Sequence, residues 1–280
     1  MNNAVLIVLN YNDYDTTASY LDEVGGFLSY KGIVVVDNAS TDGSFEKLQK
    51  LENDRIIIVK APTNGGYAKG NNFGAKIAIE KFDPDVLFFS NPDVHYDENV
   101  VKKLVEDLEN NKTTGVVAAL TKTGRSIWSL PGFWGTMRQI LLFSFNLHKR
   151  ALRKKIEKKN VLTEVGVVEG SYFAVRRKAF DEAGGFDERT FLYLEENILS
   201  ARMHKAGYIV MVDPTINYIH EHSKSIKKAY KNKVKAFKLF KPSFLTYLDY
   251  VGMNPIKRII FEIVFAIGYI ERAIYSLVVK

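Results

Sequence analysis

The chain contains no cysteine in its 280 residues, which excludes a disulfide framework, a thiolate nucleophile and a Cys-ligated metal. It also has no apolar stretch of the length, about twenty residues, that a membrane-spanning helix needs. In the helix opened by Asn254-Pro255 the longest run with a single charge, 259–270, is twelve residues and contains Glu262. No basic segment precedes the apolar run at 5–9 and no small-residue cleavage site follows it, which predicts a cytosolic protein without a signal peptide. There is no internal repeat and no low-complexity tract. The first apolar run is not followed by a G-x-G-x-x-G fingerprint, so a dinucleotide site is not indicated. Residues 10–15 also lack the glycine-rich, arginine-containing loop of a nucleotidyltransferase.

With 46% hydrophobic and 25% charged residues, the chain has the composition of one large α/β domain with an appendage. The net charge of +7 is concentrated in two places. Residues 148–159 hold seven Lys or Arg and one Glu, and 224–241 hold eight Lys and no acid; without these patches the chain stands at −7. Such patches point to a polyanionic surface, either anionic lipid or nucleic acid. In the second patch Ile226, Tyr230, Val234 and Phe237 recur at helical spacing. A basic helix with an apolar face favours membrane over nucleic acid.

Strand-length apolar runs at 5–9, 33–36, 56–59, 86–89 and 116–120 alternate with amphipathic stretches at 15–24, 45–51, 69–82 and 99–108. This alternation predicts a doubly wound, mainly parallel sheet flanked by helices. Residues 121–160 break the rhythm and read as a long, partly mobile excursion near an active site, or as a surface-binding segment. Further strands are expected at 165–171, 172–175 and 208–212, with a turn at Gly184-Gly185 and a helix at 195–206. Asn254-Pro255 is a helix start. It opens an apolar stripe through Ile256, Ile259, Ile260, Ile263, Ile267, Ile270, Ile274 and Leu277. That tail is expected in a membrane interface, on the domain, or on a twin subunit.

The chemistry is expected at strand ends. The run 33–36 stops at Asp37-Asn38, followed by a turn and a helix capped by Ser40, Thr41 or Asp42. A carboxylate at the carboxyl end of a strand in an open α/β sheet sits where such sheets bind ligands. Run 86–89 ends in Ser90-Asn91-Pro92-Asp93, which projects Asp93 from the same edge. Two such carboxylates suit a hard divalent cation, Mg²⁺ or Mn²⁺, that neutralises a diphosphate. Asn64-Gly65-Gly66-Tyr67 and Gly70-Asn71-Asn72-Phe73-Gly74 offer close backbone approach and paired amide groups. Glu195-Glu196 opens a helix whose dipole tends to keep carboxylates ionised, as a general base requires. His220 follows a strand and a turn at Pro214 and is a candidate metal or phosphate ligand, whereas His222 reads as surface.

In this order the motifs resemble the family-2 glycosyltransferases of GT-A fold, and within them the rhamnosyltransferase-like enzymes of bacterial surface-polysaccharide assembly. Asn10-Tyr11, Asp37-Asn38, Asn64-Gly65-Gly66-Tyr67, Gly70-Asn71-Asn72, Asn91-Pro92-Asp93, Gly170-Ser171, Gly184-Gly185-Phe186-Asp187-Glu188, Glu195-Glu196 and His220 carry the resemblance over about residues 4–223. It implies a catalytic domain at 1–223 and a helical tail at 224–280 for membrane or dimer contact. It further implies that Asp37, with Asn10, Tyr11 and Asn38, contacts the nucleotide base, and that Gly66, Tyr67, Asn71, Asn72 and Asn91 line the donor site. Asp93 and His220 would hold the cation, and Glu196 or Glu195 would be the base of an inverting displacement. The donor would be a dTDP- or UDP-sugar, the sugar rhamnose or another hexose, and the acceptor a glycan on a polyprenyl diphosphate. The enzyme would be cytoplasmic and peripheral on the inner face of the membrane, with no nucleic-acid partner. Three positions depart from the pattern. Asn91 replaces the first Asp of the metal motif, Glu196 replaces an Asp, and Ile198 stands where relatives carry the Asp that would pair with Arg202. Arg202 is then expected on Glu195 through water or on the substrate diphosphate. Departures at Glu196 and Ile198 also suit a non-catalytic membrane subunit of the same fold.

Overall fold

The apolar runs at 5–9, 33–36, 86–89 and 116–120 form strands buried on both faces, as in a sheet covered by helices on either side, whereas the run at 56–59 fully buries only Ile56 and Ile58. The computed structural model describes residues 3–123, 126–141, 147–221 and 233–278. Strands β1 (Ala4–Asn10), β2 (Gly32–Asp37), β3 (Ile56–Lys60) and β4 (Val86–Ser90) alternate with α1 (Tyr14–Val24), α2 (Ser44–Leu48) and α3 (Gly66–Phe82). Then come β5 (Val94–His95), α4 (Glu98–Asn110), β6 (Thr114–Thr121), β7 (Ile127–Trp128), α5 (Phe133–Ile140), α6 (Leu147–Lys159), β8 (Thr163–Val165), β9 (Val167–Val168) and β10 (Tyr172–Arg176). Helices α7 (Arg177–Ala183) and α8 (Glu195–Lys205), strand β11 (Ile209–His220), and helices α9 (Lys233–Tyr250) and α10 (Pro255–Val278) complete the chain.

The main sheet has the order β3-β2-β1-β4-β10-β6-β11-β5, with β8 paired to β11. Strands β3, β2, β1 and β4 are parallel, β10 runs antiparallel to β4 and β6, and β6 is parallel to β11. The sheet is thus mixed and mainly parallel. The reversal of β10 matters for function: Tyr172 pairs with Ser90, so the residues entering β10 arrive at the edge where β1, β2 and β4 end.

Pro214 does not end the strand, as the sequence suggested. β11 runs twelve residues to His220 and accommodates Pro214 at a register shift between Asp213 and Asn217. A bulge frees Pro from ladder bonding and re-aims the strand. Its last residues then meet β5, with His220 opposite Val94, the neighbour of Asp93.

Glycines set the distance of α3 from the sheet. A Cβ at Gly70 would meet Leu9 at 2.5 Å, and one at Gly74 would meet Ile7 at 2.6 Å and Val36 at 2.8 Å. The glycine-rich segment therefore brings a helix onto strands, rather than backbone onto a ligand.

The described parts of 121–160 are packed structure and not a loose excursion. β7 pairs with β9, and Trp128, Phe133, Met137 and Ile140 are buried. Phe133, Met137 and Ile140 join Phe237, Phe244 and Leu248 of α9 and Phe261 and Phe265 of α10 in one cluster. Burying an aromatic or aliphatic side chain of this size contributes roughly 1.5–3 kcal/mol. Asn254 caps α10 by accepting from Lys257 N at 2.9 Å. The residues at 222–232, with His222 and half of the second lysine patch, and the 223/224 boundary lie outside the described residues.

Candidate active site at the carboxyl edge

β1 and β2 end side by side, Asn10 in register with Asp37. Asn10 donates to Asp37 Oδ2 at 2.9 Å, and Ser40 N donates to Asp37 Oδ1 at 2.9 Å. Thr17 in turn donates to Asn10 Oδ1 at 2.8 Å. Asp37 and Asn10 are wholly inaccessible. Asp37 thus organises the two loops from beneath, where the resemblance implied direct contact with the base. Tyr11 is the accessible member of the group, 44% exposed. The N-cap of α2 is Gly43 and not Ser40, Thr41 or Asp42; Asp42, one residue further out, accepts through Oδ1 from Ser44 N and from the Ser44 hydroxyl.

Asn38 crosses to the start of α3, donating to Asn64 Oδ1 at 3.0 Å and to Gly66 O at 3.2 Å. Asn71 donates to Tyr67 O at 3.0 Å. Both amides keep a buried carbonyl oxygen, Asn38 Oδ1 and Asn71 Oδ1, without a hydrogen-bond partner. Gly66 has φ +79°, and a Cβ there would stand 1.9 Å from Phe191 O, so α3 begins in contact with the residues that precede α8. Tyr67 N donates to that same carbonyl at 3.0 Å.

Asn72 departs from its expected place in the donor site. Its amide accepts from Phe186 N and donates to Phe186 O and Glu188 Oε1, each at 3.0 Å, which uses up its donors within the protein. Arg202 departs too. Its guanidinium donates to Gly184 O and Gly185 O at 2.7 Å and to Tyr250 Oη at 2.9 Å, and so holds the turn after α7 against α9. With Ile198 buried in place of an acid, Arg202 is satisfied by backbone carbonyls, and neither Glu195 nor a diphosphate is needed to pair it.

Beyond β4, Asn91 N donates to Ser171 O at 2.8 Å, which ties the Asn91-Pro92-Asp93 segment to the entry of β10. Beneath it lies a chain of buried hydroxyls. Tyr172, Tyr30, Tyr96, Tyr20 and Ser90 are linked in that order by contacts of 2.7–3.1 Å, and Ser90 Oγ donates to Asn91 O at 2.9 Å. Burial raises the Tyr20, Tyr30, Tyr96 and Tyr172 phenols well above their usual range, so they act as neutral hydrogen-bonding groups.

Asp93 is buried, and its Oδ1 lies 3.4 Å from His220 Nε2. His220 Nδ1 lies 3.2 Å from Glu169 Oε1, and Glu169 Oε2 is buried without a hydrogen-bond partner. Burial on its own would lower the imidazole pKa; the hydrogen bonds to Asp93 and Glu169 outweigh it and push it up to about 9. Glu169 was not singled out from sequence. Its only signal was that it precedes Gly170-Ser171. Among the described residues no group of three or more acids and histidines is arranged to hold a metal ion by itself. Asp93 and His220 nonetheless fit a cation that shares its shell with phosphate oxygens. They supply a hard carboxylate oxygen and an imidazole nitrogen on one side, and Mg²⁺-type ions commonly take only one or two protein carboxylates. A cation there must displace the imidazole proton.

Glu195 and Glu196 start α8 beside these groups. A Cβ on Gly170 would stand 3.9 Å from Glu196 Oε2 and 3.7 Å from Tyr67 Oη, and Tyr67 Oη donates to Gly170 O at 2.6 Å. Burial raises the Tyr67 phenol, with the Glu196 and Glu195 charges adding to it. The two glutamates differ. Glu195 is buried with Oε1 unpartnered, and burial first, then the Glu196 charge, pushes its carboxyl up, against the helix-dipole expectation. Desolvation wins here because the dipole of a short helix is worth about 0.3–1 kcal/mol at an exposed end. The sites thus form one continuous arc, running from Asp93 through His220, Glu169 and Gly170 to Glu196 and Tyr67. A cavity of about 670 Å³ lies elsewhere, at the amino edge of the strands beside Asn3, Asp85, Arg176 and Lys178.

The family model described as glycosyl transferase family 2 matches residues 5–184. The chain belongs to glycosyl transferase family 2. It is 28% identical over 210 residues to the N-acetylglucosaminyl-diphospho-decaprenol L-rhamnosyltransferase of Mycobacterium tuberculosis, spanning 69% of this chain and 67% of that one. It is 27% identical over 195 residues to the O-antigen chain rhamnosyltransferase WbaN of Salmonella anatum, spanning 68% of this chain and 56% of that one. A mannosyltransferase from Pyrobaculum calidifontis, solved in complex with GDP-Man and Mn²⁺, covers 99% of this chain and 76% of its own with a TM-score of 0.58 at 16% identity. That likeness extends to the fold, the GT-A architecture expected from the motifs. Among the described residues no helix is long and apolar enough to cross a membrane.

Proposed function

We propose that this glycosyltransferase moves rhamnose or another hexose from a dTDP or UDP donor to a hydroxyl of a lipid-linked glycan, with inversion at the anomeric carbon. The observation that carries this is the placement of the Glu196 carboxylate beside Gly170, one residue from the Glu169 that holds His220 against Asp93. A proton acceptor and a diphosphate-side ligand pair thereby share one rim. The names of the relatives, both rhamnosyltransferases and one acting on a decaprenol-linked sugar, support the donor and acceptor classes.

In this reading Glu196 takes the proton of the acceptor hydroxyl as its oxygen bonds to the anomeric carbon. The bond from that carbon to the diphosphate oxygen breaks, and the diphosphate leaves with the electron pair. Asp93 and His220 would hold Mg²⁺ or Mn²⁺, which when bound supplies positive charge to the leaving diphosphate. Glu169 orients His220, Tyr11 offers the donor an exposed ring, and Asn38 and Asn71 hold the start of α3 from beneath. The basic patches and the bare side of α10 would keep the enzyme at the anionic inner face of the cell membrane, each basic residue near the surface contributing about 1 kcal/mol.

A panel of nucleotide sugars incubated with the enzyme and Mg²⁺ or Mn²⁺ tests the reading by release of nucleoside diphosphate. One preferred donor is expected, and Glu196→Gln should lose turnover while keeping nucleotide binding. If no donor turns over, the non-catalytic subunit is the better description; if Glu196→Gln retains full turnover, the proton acceptor is another group.

A further inference from the structure

The bend that delivers Glu195 and Glu196 is held from outside the sheet. Tyr193 and Leu194 have φ of 76° and 68°. Left-handed backbone is uncommon for residues other than glycine, and bulky residues adopt it only where the surroundings impose it. Here two occur in succession, immediately before α8.

The surroundings that impose it come from α9. The Phe240 ring stacks on Tyr193, centroids 3.8 Å apart and planes 5° from parallel. Ser243 Oγ donates to Leu192 O at 2.9 Å. Leu194 packs into the cluster built by α5, α9 and α10. At the end of the same helix Tyr250 Oη donates to Asp187 Oδ2 at 2.8 Å, and Asp249 accepts from Arg189 at 3.0 Å. On the other side Tyr67 N fixes Phe191 O. Pro242 interrupts the helical hydrogen-bond ladder between Phe240 and Ser243, at the place where α9 meets the bend.

We propose that α9 is a positioning element of the active site: Phe240 and Ser243 hold residues 192–194 in their left-handed bend and so fix where the Glu196 carboxylate stands. The proposal rests on the reading of Glu196 as the proton acceptor. It assigns to the first helix of the tail a task distinct from the surface-binding one read from its lysines. Phe240 and Ser243 touch no substrate; they act through the backbone of the bend, and a misplacement of about 1 Å in a catalytic group can cost about a hundredfold in rate.

The test uses the full chain, the fastest-hydrolysed sugar nucleotide of the panel for turnover, and dTDP and UDP with Mn²⁺ for binding. Phe240→Leu keeps apolar bulk but loses the flat stack, and Ser243→Ala loses one hydroxyl. The double variant is expected to lose about tenfold or more in kcat. Its nucleotide Kd should stay near wild type, and its thermal unfolding should stay cooperative. Ser243→Thr should restore the hydroxyl and the rate, and Leu194→Gly, which takes the left-handed φ freely, should recover part of kcat in the double variant. Wild-type kcat in the double variant, an equal loss of kcat and nucleotide affinity, or failure of both rescues would overturn the proposal. Should the double variant not fold, the comparison of Ser243→Ala with Ser243→Thr decides, because equal rates reject the proposal. If Glu196→Gln is inactive while the α9 variants turn over normally, only this inference falls. If Glu196→Gln is active, the base assignment falls with it.

Discussion

His220 points its Nε2 at Asp93 Oδ1, 3.4 Å away, because its Nδ1 is engaged by Glu169. A carboxylate behind a ligating histidine fixes its tautomer and typically contributes 10–100-fold to metal affinity (roughly). Glu169→Ala is therefore expected to weaken Mn²⁺ binding in the presence of dTDP or UDP by about tenfold or more, and Glu169→Gln, which keeps an acceptor, by much less. Titration of free Mn²⁺ by electron paramagnetic resonance measures it, and unchanged affinity in Glu169→Ala would remove Glu169 from the site.

The same imidazole carries its proton up to about pH 9 when no cation is bound. Cation binding at pH 7 should therefore release close to one proton, and affinity should rise as pH rises toward that value. Calorimetry in buffers of different ionisation enthalpy reads the proton directly. In His220→Asn the release should vanish.

The unequal environments of Glu195 and Glu196 separate their roles. Glu195, buried and pushed up by burial and by its neighbour's charge, is the protonated member, so Glu195→Gln should leave kcat within a few-fold. Glu196→Gln should lower kcat by about 10²–10⁴, the range of general-base catalysis. Steady-state kinetics on both variants would expose a reversed assignment at once.

Asp107 lies on α4, far from the chemistry, and offers a stability test. Burial raises its carboxyl from 3.8 to about 6; the Lys103 bond opposes this and the Asp213 charge adds to it. A folded pKa above the unfolded one means that the native state holds the extra proton between these values. Its stabilising contribution is complete below about pH 3.8 and lost as pH rises through about 6. Asp107→Asn should flatten this part of the unfolding free-energy curve, and an unchanged slope across pH 4–6 in denaturant melts would refute the account.

The bare side of α10 makes the last prediction. Ile256, Ile259, Ile263, Ile267, Ile270, Ile274 and Leu277 are all exposed, Ile256 to 70% and Leu277 to 76%. If this side meets anionic lipid, Ile263→Glu with Ile267→Glu should abolish flotation with phosphatidylserine vesicles while changing the melting temperature little, because neither side chain belongs to the cluster that joins α5, α9 and α10. Flotation unaffected by the pair would point away from lipid.

The strand ends were readable because a parallel sheet buries both faces, so its strands appear as apolar runs that stop at a polar residue. Asp37 and Asp93 were found this way. Their surroundings were less legible. Asp37 pairs with Asn10, twenty-seven positions away, and a local pattern cannot show that this seals its carboxylate. Asn72 and Arg202 have the chemistry of ligand contacts, but they are used on Phe186, Gly184 and Gly185, whose carbonyls carry no sequence signature. Glu169 was missed for a topological reason. It reaches the site only because β10 runs antiparallel, and strand direction is not written in the residues of the strand. The bend at Tyr193-Leu194 was equally hidden, since no glycine or asparagine marks it.

One practical consequence concerns recombinant handling of the chain. Deleting residues 255–280 to gain solubility would remove the bare isoleucine flank, but it would also strip Phe261 and Phe265 from Ile140, Phe237 and Phe244. The shortened product would exchange an aliphatic sticky flank for an aromatic one nearer the active centre. Charged replacements on the outward isoleucines avoid that exchange.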